Sequence, residues 1–141
     1  MIKLEEIIVF GKSKQIDDKL SVESVLSFFG EPEIFTPAYK SYPLMIVYGD
    51  LEFRFRNQNL ETITITFEEN GTQLPSQIDH KQFDFALRRE LNAIEDLLKQ
   101  YHVTWKKDEI MSDSEQVVYI TEHNVHLAFY KGLLTKIGIV Y

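Results

Sequence analysis

The sequence predicts an α+β protein in which a unit of one helix and three strands is duplicated, giving an antiparallel sheet with helices packed on one face. Two observations support this fold class. Alternating apolar residues recur in the middle and at the end of the 141-residue chain, and a stretch with helical spacing precedes each of these regions. The hairpin pattern that starts at Leu51 also overlays without a gap on the pattern that starts at Val125, 74 positions later (125 − 51).

The first half opens with a predicted strand and a predicted helix. Residues 4–10 end in four consecutive apolar residues before Gly11, which is typical of a short strand. Ser21 is a suitable N-cap for a helix, and Gly30 followed by Pro32 ends it. Between these two ends, four apolar residues share one face of the helix: Val22, Val25, Leu26 and Phe29.

Three strands complete the first half. Leu44–Tyr48 is an apolar run, and the Gly49–Asp50 pair that follows it is typical of a tight turn. In the next two strands apolar and polar residues alternate, which predicts a half-buried sheet with charged residues and threonines on its outer face. The inward positions are Leu51, Phe53, Phe55, Leu60, Ile63, Ile65 and Phe67.

The second half repeats this order. The spacing of its apolar residues predicts one long helix over Phe83–Tyr101. After the helix, short apolar runs separated by turns and a charged loop predict the closing strands. The three closing strands are Val117–Ile120, Val125–Tyr130 and Leu134–Tyr141, and Val103 and Trp105 suggest a further short strand before the charged loop. The inward positions of the last two strands match those of the first hairpin, and Ile46–Tyr48 corresponds loosely to Val117–Tyr119.

The predicted boundary between the units is the polar linker of residues 68–80, which contains Asn70–Gly71 and Pro75. The units are then residues 1–70 and 71–141, within one compact domain. Joining the two sheets edge to edge would cover strands that otherwise lack a neighbour, but the sequence also allows face-to-face packing. It allows an alternative without duplication too, because any two amphipathic hairpins can be aligned.

Composition excludes several classes of function. The net charge of −7 and the pI of about 5.1 disfavour binding to nucleic acid, which needs a basic face, and fit a basic protein partner. The chain has no cysteine, so disulfides, thiol nucleophiles and thiolate metal sites are excluded. No apolar run approaches the roughly 20 residues of a membrane helix. We expect a cytoplasmic protein that binds neither nucleic acid nor a membrane.

Three stretches of the first half, "SVESVLSFFGEPE", "YGDLEFRF" and "LETITITF", resemble a recurring bacterial unit. In that unit a helix ends in Gly-x-Pro and is followed by a strand, a turn and a strand. Similar units occur in the small outer-membrane-assembly lipoproteins, and tandem copies occur in the secreted beta-lactamase inhibitor protein family, which binds an enzyme with the open face of its sheet. This chain departs from both families, because it has no cysteine for a lipid anchor or for disulfides, and we expect no signal peptide. The resemblance therefore implies an architecture and a binding role, and no particular target.

The sequence offers few candidates for catalysis or metal binding. The stretch "FGKSK" at residues 10–14 partly matches a phosphate-binding loop, but the required earlier glycine is replaced by Glu6. His123 and His126 are three apart, and residues three apart in a strand point to opposite faces, so the pair would need an irregular turn. Two imidazoles would also need Glu122 to form a zinc site. We expect no enzyme activity, no metal and no cofactor.

A surface for a protein partner is the best-supported site. On one predicted strand charged residues occupy the outer face and alternate with inward-facing phenylalanines. Tyrosines come just before this strand. Arginine and aromatic residues are frequent hot spots of protein interfaces. An acidic pair occupies the matching long loop of the second half. The candidate partner-binding residues are Glu52, Arg54, Arg56, Tyr39, Tyr42, Asp108 and Glu109.

These observations predict a non-enzymatic protein-binding module, most concretely a bacterial immunity or inhibitor protein. It would block a partner protein, such as a basic toxin, through its sheet face and acidic loops, since complementary charge speeds association. Two alternatives remain. One is a structural or assembly module whose sheet edge pairs with itself or with another subunit. The other is a small-ligand binder or an unrecognised hydrolase that uses His123, His126 and Glu122.

Overall fold

The computed structural model describes residues 1–69 and 71–141, so Asn70 of the predicted linker lies outside the described residues. Over these residues the chain forms three α-helices and an antiparallel sheet of eight strands. This confirms the predicted α+β class with an antiparallel sheet. The helices are α1 (Leu4–Phe10), α2 (Val22–Phe29) and α3 (Leu91–Gln100).

The strands of the described chain are β1 (Ile2–Lys3), β2 (Ile34–Thr36), β3 (Leu44–Tyr48), β4 (Leu51–Arg56), β5 (Asn59–Thr66), β6 (Ile78–Asp79), β7 (Trp105–Lys107), β8 (Gln116–Thr121), β9 (Val125–Tyr130) and β10 (Leu133–Val140). Strands β1 and β6 pair in parallel as a small separate sheet. The other eight follow the order β2-β3-β4-β5-β10-β9-β8-β7. Four strands come from each half of the chain, and the antiparallel β5–β10 pair joins the halves edge to edge.

The core lies between the helices and one face of the large sheet. The inward positions predicted for both hairpins are buried, except Tyr141, which is 36% exposed. The helices contribute to the same cluster through Leu4, Ile7, Ile8, Val9, Val25, Phe29, Ile94 and Leu98. The helices therefore cover one face, and in the described chain no helix covers the other. We call this other face, which carries the threonines of β5 and the charged residues of β4, the open face.

The strand predicted at residues 4–10 is wrong, because these residues form helix α1. Leu4, Ile7 and Ile8 lie on the buried side at helical spacing, and Gly11 ends the helix by donating its N–H to the carbonyl oxygen of Ile7 at 2.9 Å. Val9 is buried as well. A seven-residue stretch that is apolar on most sides fits a strand and a buried helix equally well by periodicity.

The helix predicted over Phe83–Tyr101 is too long, because in the structure the α-helix covers only Leu91–Gln100. Two short 3₁₀ helices, Lys81–Asp84 and Ala86–Arg89, precede α3. The backbone at Glu90 is extended and bridges to Leu133, and the next N–H, of Leu91, donates to the Gly132 carbonyl oxygen at 2.9 Å. Pairing with the β9–β10 turn therefore interrupts a pattern that is helical in the sequence.

Strand β2 lies between α2 and β3, where the sequence pattern predicts no strand. Ile34 pairs with Val47 and Thr36 with Met45, so this segment extends the sheet beyond β3. The strand has three residues and lies between Pro32 and Pro37. A run this short shows no alternation, which explains why the sequence pattern does not predict it.

The hairpins β4–β5 and β9–β10 have their irregularity at the same point. In the first, the pairing shifts beyond Arg54, leaving Glu61 as an extra residue on β5. In the second, the shift leaves Thr135 as an extra residue on β10. Thr135 follows Glu61 by 74 positions (135 − 61), the same offset that aligns the apolar residues. Because a bulge bends and twists its strand, both hairpins bend at equivalent positions.

In the strand before each hairpin, equivalent residues of the two halves are 73 positions apart (119 − 46) instead of 74. Ile46 pairs with Phe53, and Tyr119 pairs with Leu127, the residue that aligns with Phe53. The residue that matches Ile46 in the sheet is therefore Tyr119, and the loose alignment of Ile46 with Val117 is wrong. The difference arises because the β8–β9 turn is one residue longer than the β3–β4 turn.

Candidate functional site

The structure divides the predicted partner-binding residues into two groups. The β2–β3 loop lies beside the β4–β5 turn, and the β7–β8 loop lies beside the β9–β10 turn. Since β5 and β10 are antiparallel, these two turns are at opposite ends of the sheet. Seven strand spacings of about 4.8 Å also separate the outermost strands, or roughly 34 Å. Glu52, Arg54, Arg56, Tyr39 and Tyr42 therefore lie together, and Asp108 and Glu109 lie at the diagonally opposite corner.

The two arginines of the first group already have acidic partners. Arg54 Nε lies 3.2 Å from a carboxylate oxygen of Glu52, and Arg56 Nε lies 2.8 Å from one of Glu61. Exposed ion pairs of this kind contribute about 0–1 kcal/mol to stability. Arg56 has a second contact, because its Nη1 donates to the carbonyl oxygen of Ser41 at 2.7 Å. Arg56 therefore connects the sheet to the loop that carries the tyrosines.

That loop, Pro37–Pro43, is called the tyrosine loop. Its backbone forms a tight turn, in which the N–H of Tyr42 donates to Tyr39 at 2.9 Å and the N–H of Tyr39 donates to Tyr42 at 3.2 Å. The rings of these residues are 65% and 70% exposed, and the Lys40 ammonium group lies 5.3 Å from the centre of the Tyr39 ring. The loop thus holds two exposed aromatic side chains on an ordered backbone.

The β7–β8 loop, Asp108–Glu115, is called the acidic loop. One carboxylate oxygen of Asp108 accepts hydrogen bonds from the N–H groups of Ile110 and Met111, at 3.0 and 3.2 Å. A carboxylate oxygen of Asp113 accepts two more, from Glu115 and Gln116, both at 2.8 Å. These local bonds fix the backbone of a loop whose sequence is mostly polar and charged.

Further bonds attach the acidic loop to the sheet. The N–H of Asp108 donates to the Val118 carbonyl oxygen at 2.8 Å, and the N–H of Val118 donates to the Ser112 hydroxyl at 3.0 Å. The N–H of Lys131, in the β9–β10 turn, donates to Glu115 at 2.9 Å. The N–H groups of Gln116 and then Glu115 lower the pKa of the Asp113 carboxyl below its ordinary value, which favours its charged form.

Apolar side chains project from this ordered acidic loop. Ile110 is 94% exposed and Met111 is 56% exposed. Ile110 lines an open groove of about 730 Å³, whose apolar lining also includes Trp105 and Ile120. The sequence predicts Asp108 and Glu109 of this loop as partner-binding residues, and it does not predict Ile110 and Met111. The sequence feature that could have indicated them is the adjacent apolar pair within the charged stretch "KKDEIMSDSE".

The structure does not bring the residues considered for metal or phosphate binding together as a site. A carboxylate oxygen of Glu122 accepts the N–H of Thr104 at 2.9 Å, and the His123 ring lies 6.1 Å from that of Phe10. In residues 1–69 and 71–141, no three histidine or acidic side chains converge on a point where a metal ion would bind. Gly11 of "FGKSK" ends a helix, whereas a phosphate-binding loop precedes one.

Comparison of the chain with protein-family models, with curated proteins and with solved structures finds no match in any of the three. Within the part of the chain that the structure describes, none of the helices combines the length and the apolar composition required to cross a membrane.

Proposed function

We propose that this chain is a non-enzymatic protein-binding module, most concretely a bacterial immunity or inhibitor protein that blocks a basic partner such as a toxin. The contact would be centred on the acidic loop and the neighbouring part of the open face. The observation that carries this proposal is the position of Ile110, an almost fully exposed apolar side chain on a hydrogen-bonded loop that also carries Asp108 and Glu109.

The energetics of association favour such a loop. Ordering a flexible loop on binding costs conformational entropy, and a loop whose backbone is already fixed avoids much of that cost. Complete burial of an isoleucine side chain contributes about 1.5–3 kcal/mol. Burial of Ile110 and Met111 would therefore supply affinity with little loss of conformational entropy. A few central residues dominate many protein interfaces in this way.

Charge supports a basic partner. The chain has a net charge of −7, and the acidic loop contributes Asp108, Glu109, Asp113 and Glu115. Opposite charge across an interface speeds encounter and disfavours wrong partners, and this effect weakens as salt screens it. The proposal includes a cytoplasmic location, since a chain without cysteine gains no disulfide from an oxidising compartment.

The proposal also includes duplication of one helix–strand unit. Three observations support it: the strand orders of the two halves mirror each other across β5–β10, the bulges fall at Glu61 and Thr135, and Thr64 pairs with Gly138, the residue that the 74-position offset assigns to it (138 − 64). A twofold pseudo-axis through this pair would relate the halves. Such an axis places the tyrosine loop and the acidic loop at equivalent positions.

The test is an affinity pull-down from the source organism with tagged protein at low and moderate salt. We expect one basic protein that is recovered at low salt and reduced at moderate salt. The variant Ile110→Asp should lose it, because the change removes the apolar side chain and buries a carboxylate at the proposed contact, and this desolvation outweighs the added attraction to a basic partner. Phe85→Asp is the matched control, since Phe85 is 70% exposed but belongs to neither loop; it should retain the partner.

Failure to recover a partner with the wild-type chain would contradict the proposal. Recovery of the same protein by Ile110→Asp at wild-type yield would contradict the assignment to the acidic loop. Both variants change exposed side chains, so circular dichroism should show an unchanged fold.

A further inference from the structure

The two edges of the large sheet differ in chemistry. The β7 edge carries Lys106 and Lys107, and both are exposed. Lysine on an edge strand opposes the addition of another strand. The β2 edge carries Ile34, Phe35 and Thr36, and all three are exposed although none is charged. One edge is therefore protected against strand addition, and the other is suited to it.

Rows of apolar side chains run across the sheet from strand to strand and end at β2, which has no strand on its outer side in the described sheet. Phe35 pairs with Ile46, which pairs with Phe53, and the last two are fully buried while Phe35 is 44% exposed. On the open face, Ile34 is 49% exposed beside Val47. In the described sheet the only neighbour of β2 is β3, so the outer backbone groups of β2 are not paired with a strand.

We propose that β2 pairs antiparallel with β2 of a second copy of this chain, joining two eight-stranded sheets across a twofold axis. The axis passes through Phe35, so Phe35 faces Phe35 of the second copy and Ile34 faces its Thr36. The same strand serves both sides of such an isologous contact. Cross-strand aromatic pairs stabilise antiparallel sheets, and here they would complete the row of core residues.

The flanks of β2 favour a second copy in this orientation. The exposed Glu31 lies before the strand and the exposed Lys40 lies after it. Antiparallel pairing brings the acidic flank of each copy towards the basic flank of the other, whereas parallel pairing would bring acid to acid. Pro32 and Pro37 bound the strand and lack N–H donors, which limits the pairing to a short segment.

This contact is independent of the proposed inhibitor function. The acidic loop adjoins the β7–β8 edge, at the far side of the sheet from β2. A dimer through β2 would therefore carry two accessible acidic loops, and either proposal can fail without the other.

Sedimentation velocity over a range of concentrations tests the proposal directly. We expect a wild-type species that approaches twice the 16.6-kDa mass of the chain as concentration rises. Ile34→Lys, which gives β2 the protection that β7 has, should sediment as a monomer. Ile110→Lys makes the same change on the acidic loop and should behave as the wild type.

A wild-type chain that stays monomeric at the highest soluble concentration would overturn the proposal. The occupant of the β2 edge would then be an extended segment of another protein. A dimer that persists in Ile34→Lys would overturn it as well, because the contact would lie elsewhere.

Single cysteines give a second measurement that does not depend on the lysine variant folding. The chain has no cysteine, and residues facing each other across antiparallel strands lie within the Cα separation of a disulfide. Mild oxidation of Phe35→Cys should give a covalent dimer, and Lys106→Cys on the other edge should not. Equal cross-linking at both positions would contradict pairing through β2.

Discussion

The tyrosine loop and the acidic loop join the outermost strand to its neighbour in their respective halves, yet they expose different side chains. The tyrosine loop presents Tyr39 and Tyr42 beside Lys40 and Arg56. The acidic loop presents Ile110 and Met111 among four carboxylates. The hairpins next to these loops have apolar residues at the same inward positions, and they share register and bulge position. The buried face therefore constrains the framework of both halves, whereas the exposed loops differ in charge and in apolar character.

This difference suggests that the two corners serve different contacts. An interface of standard size covers about 800 Å² on each partner. The corners lie roughly 34 Å apart by strand spacing, so a single contact of that size centred on one corner would not extend to the other. The fold thus offers one aromatic and basic corner, one apolar and acidic corner, and an uncharged edge at β2.

The largest expected effects compare equivalent positions in the two cores. Phe55 and Phe129 are related by the 74-position offset (129 − 55), and their side chains are 1% and 0% exposed. Phe55→Ala and Phe129→Ala should each lower the free energy of unfolding by about 3–5 kcal/mol, because each leaves a cavity. Urea denaturation measures this loss, with the exposed Tyr130→Ala as control. A cost at one position less than half that at the other would contradict equivalent cores.

The stability lost on substitution by alanine should differ more between two turn glycines than between the two core phenylalanines. Gly49 and Gly132 both have positive φ angles, of 60° and 78°. A methyl group at Gly132 meets no atom within 4 Å, whereas at Gly49 it would overlap the Gln73 carbonyl oxygen. Gly132→Ala should cost about 1–2 kcal/mol for backbone strain alone, and Gly49→Ala should cost more. Thermal denaturation of both variants decides the order, and equal losses would contradict the tight contact at Gly49.

A smaller, pH-dependent effect is expected in the acidic loop. The pKa of Asp113 is lowered from its ordinary value of 3.8 by the N–H groups of Gln116 and Glu115. A carboxyl group with a lowered folded pKa contributes stability above its unfolded pKa, and this contribution is lost as pH falls through the folded pKa. The difference in unfolding free energy between the wild type and Asp113→Ala should therefore shrink below about pH 4. Urea denaturation at several pH values measures it, and a difference that grows on acidification would contradict the assignment.

The smallest expected effects concern the ion pairs of the open face. Arg54→Ala should lower the free energy of unfolding by about 0–1 kcal/mol, because the pair with Glu52 is exposed to solvent. Arg56→Ala should cost somewhat more, since it also removes the hydrogen bond to Ser41. Proteolysis of the tyrosine loop gives a second readout, and only Arg56→Ala should accelerate it. Faster cleavage in Arg54→Ala would contradict the specific role of Arg56.

Alternation in the sequence is sufficient to predict the two hairpins, because their inward residues are buried against one core. It is insufficient for α1, where Leu4, Ile7, Ile8 and Val9 are all buried and show no single periodicity. The break before α3 depends on the bridge from Glu90 to the β9–β10 turn, which is a contact between distant residues. Local patterns carry no information about such contacts.

The candidate site shows the same limit. The residue types of both loops were readable from the sequence, but their separation was not, because it follows from the antiparallel pairing of β5 with β10. The exposure of Ile110 also depends on tertiary structure. It results from the backbone bonds to Asp108 and from the attachment of the loop to Val118.

Hydrogen exchange of the chain with and without its recovered partner tests the central claim most directly. We expect slower exchange of backbone amides in the acidic loop, Asp108–Glu115, when the partner is bound, and unchanged exchange in the tyrosine loop, Pro37–Pro43. Protection confined to the tyrosine loop, or spread over neither loop, would contradict the assignment of the binding surface to the acidic corner.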